Sequence, residues 1–391
     1  MKIIFAISSQ YYESEGGVWT TTSYNNTMWD EYLKSFNEIF VLAPLKKVNE
    51  LPTGCKRADN KNVRFIDSSV IKKMDAMGII KLRNKINLLV KSLDGGILHS
   101  PSFEAELAFG ALKKYKKPYV VESRGEQSMH EGFLKARGIP FAKFVKQIFL
   151  KMHMKHLEGA YGCIYVSDTL KERYAPKNII KAAVISDLRL PDSFIKAPRV
   201  WEQTSEPFKI INVGNLSPYK DQRTLIKAVH FIIKNFNYNI QLNIVGKGPL
   251  ESELKQFVKE LEIEQYVKFH GFVSWGEELF SLYDQNDLFV LSSLTEGMPR
   301  VVLESLARGL PVVSTEVSGS IEILPKECIA PVGDYERLAQ AIRRLMESPS
   351  LLSELSNLGI NVIRNYREGI LKEKKINYFN EFKEAFKVDV D

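Results

Sequence analysis

Residues 295–322 read TEGMPRVVLESLARGLPVVSTEVSGSIE, and the order of residue types in this stretch decides the fold. Just upstream, Asp287-Leu-Phe-Val-Leu291 is a short apolar run ending at Ser292-Ser293, the pattern of a strand buried on both faces of a parallel sheet. A loop follows in which Gly297 and Pro299 flank Met298. Val301, Val302, Leu306 and Ala307 then fall at helical spacing until Gly309 stops the turn. Glu296 precedes that helix and Glu304 lies inside it, so both carboxylates are placed to look toward the helix N-terminus. Unpaired N–H groups and the positive dipole end attract phosphate there, and carboxylates accept hydrogen bonds from sugar hydroxyls. The spacing alone is weak, because two solvated helix-end carboxylates produce the same pattern.

Working outward, strand-like runs alternate with helical periodicity along the whole chain, which predicts an α/β protein of two Rossmann-like domains with parallel sheets facing across a cleft. In the first half, Lys2–Ile7, Ile39–Leu42, Val63–Ile66, Gly96–His99, Pro118–Val121, Cys163–Val166 and Ala183–Ser186 read as strands, and Ser102–Tyr115 as a helix. Residues 196–207 are polar, carry Pro198 and Pro207, and lack periodicity, so they are read as a linker between domains 1–195 and 208–367. In the second half Phe208–Val213, Ile240–Val245 and Val267–Val273 read as strands, and Tyr335–Met346 and 368–387 as helices.

The chain is long enough for two cores: it has 391 residues, 45% of them hydrophobic and 26% charged. Three widely separated cysteines, Cys55, Cys163 and Cys328, show no metal-ligand spacing and fit a reducing compartment. The opening apolar run is too short for a signal-peptide core and no run of about 18 apolar residues occurs, so a cytoplasmic location is expected, peripheral at the inner membrane face if membrane-bound. Of the net charge of +7, residues 1–195 carry an excess, with 30 Lys+Arg against 20 Asp+Glu. An anionic partner for the first half follows. Nucleic acid fits poorly, as no Arg-rich run or helix-turn-helix pattern is present. From Glu131 to Leu157 the chain is basic, and Phe141, Phe144, Val145, Ile148, Phe149 and Met152 fall at three- and four-residue steps. This is an amphipathic helix, either packed on the core or lying on anionic lipid.

A second chemical site is read at Val213-Gly214-Asn215-Leu216-Ser217-Pro218-Tyr219-Lys220. A glycine at a strand end, a cation and a following helix N-terminus make a diphosphate site. Arg124 ends a first-half strand, where it is suited to clamp a phosphate or an acidic sugar; His99 ends another, and a histidine there is more often structural. No metal cluster is found, and the terminal Asp389-Val-Asp391 sits at a fraying chain end.

The stretch around Glu296 resembles the C-terminal signature of the retaining family-four glycosyltransferases (glycosyl transferases group 1, GT-B fold). That pattern, Glu-Gly-x-x-x-x-x-x-Glu-x-x-x-x-Gly-x-Pro-Val-(Val/Ile), is filled here by Glu296, Gly297, Glu304, Gly309, Pro311, Val312 and Val313. The resemblance implies that Glu296 lies at the donor sugar, Glu304 at the nucleotide ribose, and the backbone of Gly297, Met298, Pro299, Arg300 and Val301 at sugar hydroxyls and phosphate. It further implies donor contacts from Gly16 and Gly17, from Gly214 and Lys220, from the Gly246-Lys-Gly248 turn, and from the Val273 backbone at the base. Asn215 departs from the family's usual Arg, leaving Lys220, helped by Arg300, to carry the phosphate charge. The implied activity is transfer of a sugar, with retention and without a metal or other cofactor, from a nucleoside-diphosphate sugar (a UDP-sugar favoured) to a saccharide or lipid-linked saccharide in bacterial surface-polysaccharide assembly. Glu296, Lys220 and Arg124 are the expected catalytic residues, and the last helix, 368–391, is expected to cross back onto the first domain. A nucleotide-sugar 2-epimerase of the same fold and a non-catalytic nucleotide-sugar binding protein stay open as alternatives.

Overall fold

The computed structural model describes residues 1–125, 140–176 and 178–386. Its first sheet has seven strands in the order Lys181–Val184, Gly162–Tyr165, Tyr119–Ser123, Gly95–His99, Lys2–Ala6, Glu38–Ala43 and Val63–Asp67, all parallel. Its second has six parallel strands, ordered Val267–Gly271, Ile240–Val245, Phe208–Val213, Leu288–Leu291, Val312–Thr315 and Ile329–Ala330. Near-continuous apolar strands cannot face water, so helices cover both sheets. In the first, Phe103–Lys114 starts where Ser102 Oγ accepts from the Ala105 N–H at 3.0 Å. In the second, Gln222–Phe236 buries Leu225, Ile226, Val229 and Ile232. The expected fold is present.

Strand order reverses in the second sheet between Phe208–Val213 and Leu288–Leu291. Ligands in such sheets sit outside the carboxyl ends of the strands at this switch point, and both chemical motifs read from the sequence emerge there. The chain between the domains is strapped to the second: Arg199 donates to the carbonyls of Arg308 at 2.8 Å, Asn286 at 2.8 Å and Tyr283 at 3.0 Å. Beyond it, Glu368–Ala385 lies against the first domain, where Phe379 meets Tyr32 and Phe36 at ring-centroid distances of 5.4 and 5.3 Å.

Two stretches gain detail that the strand-helix reading lacked. The residues after the first strand form a β-hairpin, Tyr11–Ser14 against Gly17–Thr20, joined by Leu45–Lys47 and Lys56–Arg57 into a separate four-stranded sheet. Gly16, at φ 94°, occupies its two-residue turn, a conformation that favours glycine. The amphipathic helix runs from Ala142 to Leu157 and does not bury its whole apolar stripe. Met152, His153, His156 and Leu157 are inside, while Phe141, Phe144 and Ile148 are exposed. The buried end is polar: Ser100 Oγ meets His153 Nδ1 at 3.0 Å and His156 Nδ1 at 2.8 Å, and His156 Nε2 meets Glu106 at 2.8 Å. Histidines paired this way direct the C-terminal end of the helix inward and leave the aromatic N-terminal end outside. The basic positions Lys135 and Arg137, Glu126, and the terminal Asp389 and Asp391 lie outside the described residues.

Candidate active site

The loops leaving Val213 and Leu291 meet at the switch point. Lys220 Nζ lies 2.5 Å from Glu296 Oε1, and Ser293 Oγ donates to the same oxygen at 2.8 Å. The loops are also sewn together by backbone: the Leu294 N–H donates to the Tyr219 carbonyl at 2.8 Å, and Ser292 Oγ to the Lys220 carbonyl at 3.1 Å. Both charged side chains are largely buried, at 13% and 7% exposure. Burial works to lower the Lys220 pKa, but the adjacent Glu296 carboxylate outweighs it and holds the amine above its ordinary value. Lys220 therefore stays a cation, aimed at the loop preceding the helix Arg300–Ala307. A buried ion pair contributes little net stability, and a perturbed cation at a switch point is a candidate functional group.

That helix begins at Pro299 without a side-chain cap, so its first N–H groups and Arg300, exposed at its first position, form an anion-attracting end. The charge of Arg300 acts on Glu304, on Lys220 and, across the domains, on Asp187. Glu304 is buried; Trp275 Nε1 donates to its Oε1 at 3.1 Å and the Tyr283 hydroxyl to its Oε2 at 3.1 Å. Burial pushes its carboxyl above the usual range, against the pull of Arg300 and of these two donors.

Gly214 faces the Lys220 side chain, its would-be Cβ 3.5 Å from Cε. Gly246 and Gly248 pack so closely on residues 214–216 that side chains there would strike the carbonyls of Gly214 and Leu216 at 1.9 and 2.2 Å. Asn215 is exposed beside this contact, with Oδ1 toward Gly248. Val273 is partly buried against the core and Met298 is buried against Gly319. Val301 is half-buried. Gly297 carries the contact between domains: a Cβ there would lie 2.5 Å from the Arg124 carbonyl and 2.9 Å from Gly125 Cα.

On the first-domain side, Arg124 is committed internally. Its guanidinium lies 3.3 Å from Glu122, 3.2 Å from Asp187 and 4.5 Å above the Tyr24 ring, so its carbonyl rather than its charge reaches the second domain. Glu122 also accepts from the Tyr32 hydroxyl at 2.5 Å and lies 3.7 Å from Lys375 of the returning helix. Burial opposes its charge, yet Lys375 and Arg124 hold the carboxyl down to about 2. His99 sits edge-on to Tyr24, kept neutral by burial and by Arg124, with its pKa lowered to about 3. Gly16 and Gly17 are gathered by Arg57, which donates to the Gly16 carbonyl at 3.1 Å, and by Asp59, so their partners in the structure are those of a turn.

Sequence reasoning missed Trp275, Tyr283, Ser293, Glu122 and Lys375. For Trp275 a signal existed, a large aromatic in a polar turn two residues past Val273. The others come together only in three dimensions. A further unread contact joins the domains: Glu322 accepts from the Asp168 and Thr169 N–H groups at 3.0 and 2.7 Å, capping the helix Asp168–Tyr174.

Residues 194–362 match the family described as Glycosyl transferases group 1. The Protein CapJ of Staphylococcus aureus is 26% identical over 356 residues, 90% of this chain and 85% of CapJ. The amylovoran biosynthesis glycosyltransferase AmsK of Erwinia amylovora is 35% identical, but over 36% of this chain and 37% of AmsK. Anabaena HepE, crystallised with UDP, superposes with a TM-score of 0.66 over 97% of this chain and 100% of its own, at 16% identity. The family description favours transfer over epimerisation. Residues 194–362 thus match glycosyl transferases group 1, and the chain as a whole, two parallel-sheet domains, has the GT-B fold.

Proposed function

We propose that this chain is a glycosyltransferase that moves a sugar from a UDP-sugar to a hydroxyl of a saccharide or lipid-linked saccharide, with retention of configuration, in bacterial surface-polysaccharide assembly. The observation that carries this reading is the Lys220–Glu296 pair, 2.5 Å apart at the switch point and adjoining both the uncapped helix at Arg300 and the first domain. In the reaction the C1–O bond to the β-phosphate breaks and the diphosphate leaves with the electron pair. Its growing charge is met by Lys220, Arg300 and the helix N–H groups. Glu296 orients the sugar, and Glu304 accepts from the ribose hydroxyls. The acceptor hydroxyl attacks C1 on the face just vacated and passes its proton to the departing phosphate. Arg124 and His99 shape the first-domain wall, while Gly214, Gly246 and Gly248 let the phosphates approach the backbone. No divalent metal is called for where two cations and a helix terminus supply the charge, and turnover is expected to survive EDTA. UDP as the nucleotide is supported by the likeness to HepE, and the biosynthetic role by AmsK, named for amylovoran biosynthesis.

The test is thermal shift against UDP, GDP and ADP, followed by turnover with the matching sugar donors and lipid-linked acceptors. A ligand that binds only the folded state raises the Tm, so a shift with UDP alone is expected, and no shift with any nucleotide overturns the reading. Among the described residues no helix is long and apolar enough to cross a membrane. Peripheral docking at the inner membrane face is supported by Phe141 and Phe144, 83% and 67% exposed, beside exposed Lys143 and Lys151; aromatic anchors among lysines suit an anionic bilayer. Phe144→Ser is expected to weaken sedimentation with phosphatidylglycerol vesicles several-fold. Equal sedimentation of the variant and wild type removes the membrane part and leaves the transferase.

A further inference from the structure

Glu304 does not stand alone in its pocket. Each of its oxygens receives one hydrogen bond, from Trp275 Nε1 and from the Tyr283 hydroxyl, both at 3.1 Å. Two donors arriving from different elements fix the plane of the carboxylate, and each oxygen keeps a second lone pair for another donor. The two holders differ. Tyr283 is fully buried inside the helix Glu277–Asp284, whereas Trp275 is 43% exposed and belongs to the turn that follows the Val267–Gly271 strand. Its indole is nevertheless fixed, with ring centroids 5.4 Å from Phe194, in the segment entering the linker, and 5.6 Å from Phe280. The result is a large aromatic surface open on one side, with its N–H pinned to a buried carboxylate on the other. Such a ring is costly to leave exposed, and a flat or sugar-like ligand covers it naturally.

We infer that Trp275 is a positioning residue for the nucleotide: by holding Oε1 of Glu304 it turns the free lone pairs of that carboxylate toward a vicinal diol, and so makes the site select ribonucleoside over 2′-deoxyribonucleoside diphosphates. The inference rests on the donor reading given above. The selection follows from the asymmetry of hydrogen bonding. A carboxylate that has lost its water and faces a missing hydroxyl is left with an unmet acceptor, which costs more than the bond gains when made. That penalty is felt only if the carboxylate cannot swing away to another donor, and Trp275 and Tyr283 together prevent this. Burial raises the Glu304 pKa, and Arg300 and the two donors pull against it, each favouring the carboxylate over the acid.

Equilibrium binding of UDP and dUDP to the full chain tests the inference, with Trp275→Phe, Trp275→Ala and Tyr283→Phe as variants. Wild type is expected to prefer UDP by about tenfold or more. Trp275→Phe keeps the ring against Phe194 and Phe280 and removes only the donor, so the preference is expected to fall several-fold, because the freed carboxylate loses its aim at the diol and can turn away from a missing hydroxyl, which weakens UDP binding and relieves the penalty on dUDP. Tyr283→Phe is expected to act in the same direction and keeps the inference testable should a Trp275 variant fold poorly. If Trp275→Phe retains the full UDP preference and only Trp275→Ala loses binding, the residue is packing and the inference falls while the donor reading stands. A wild type that binds both nucleotides equally also overturns it. A wild type that binds neither overturns the donor reading as well.

Discussion

The two domains solve the same problem in different ways. In the second, the site is built from backbone: loops leaving adjacent strands approach to distances that admit no Cβ at Gly246 or Gly248, and one close pair, Lys220 with Glu296, supplies the charge. In the first, the matching wall is built from long side chains brought from far apart in sequence. Glu122, Arg124, Asp187, Tyr32 and Lys375 form one buried network that spans the sheet, an early helix and the last helix. A backbone-built site is rigid and tolerates little change, whereas a side-chain network can be rebuilt residue by residue. The difference predicts that damage to the second domain removes chemistry, whereas damage to the first removes stability.

The largest expected effect falls on the second domain. Lys220→Ala and Glu296→Ala are each expected to lower kcat by about 10²-fold or more, corresponding to roughly 3 kcal/mol of lost transition-state stabilisation. The double variant should lose far less than the product of the two, because the pair acts as a unit. Steady-state turnover with a UDP-sugar donor measures this, and two independent, modest losses would break the contrast between the domains.

The same contrast explains what was legible beforehand. Strand-helix alternation and the Glu296-Gly297…Glu304 stretch could be read because backbone-built sites leave compact signatures: glycines at strand ends, a proline at a helix start, carboxylates at fixed offsets. The first-domain wall could not, since Lys375 reaches Tyr32 at 2.6 Å across 343 residues, and nothing local to either marks the other. Arg124 was visible as a strand-end cation, but its two carboxylates were not, so its charge appeared available to a ligand. The Gly16-Gly17 pair was ambiguous for the opposite reason, because a glycine pair has the same appearance in a phosphate loop and in a hairpin turn, and only the pairing of Tyr11–Ser14 with Gly17–Thr20 places it in a hairpin. The helix Ala142–Leu157 showed its period but not its orientation, which three buried side chains, Ser100, His153 and His156, decide.

A smaller effect, of another kind, is expected from Glu122→Gln. Removing this carboxylate leaves Arg124 and Lys375 facing each other without their shared counter-charge, and breaking one partner of a buried pair is strongly destabilising. Because Arg124 keeps Asp187 at 3.2 Å, the loss should be at the low end, about 3 kcal/mol, read as a lower Tm. UDP affinity should hold within about twofold, since no second-domain contact is touched. A variant of unchanged Tm but impaired UDP binding would reverse the assignment of tasks to the two domains.

The smallest expected effect uses pH to separate the domains without substitution. His99 and His153 are buried in the first domain with pKa values lowered to about 3, mainly by burial, with Arg124 adding to the effect at His99 and His156 at His153. His156 is lowered by burial too, against the pull of Glu106. A histidine whose folded pKa lies below its unfolded value near 6.5 takes up its proton more readily in the unfolded chain, so its contribution is complete above pH 6.5 and is lost as pH falls toward 3. At pH 5.5 the loss is about 1 kcal/mol for each of the two histidines held near 3. The depressed pKa of Glu122 acts in the same direction, but its window opens only below its unfolded value near 4.5, so it does not contribute at pH 5.5. In the second domain His230 and His270 are less buried and should contribute less. Hydrogen exchange at pH 7 and pH 5.5 reads the domains separately: protection in the strands Gly95–His99 and Tyr119–Ser123 should fall several-fold more than in Phe208–Val213 and Leu288–Leu291. His153→Gln, able to bond Ser100 and Ser123 without titrating, should remove part of that excess. Equal acid loss in both sheets would mean that the buried first-domain network does not carry the stability assigned to it, and that its polar groups are held by the surrounding aromatic core.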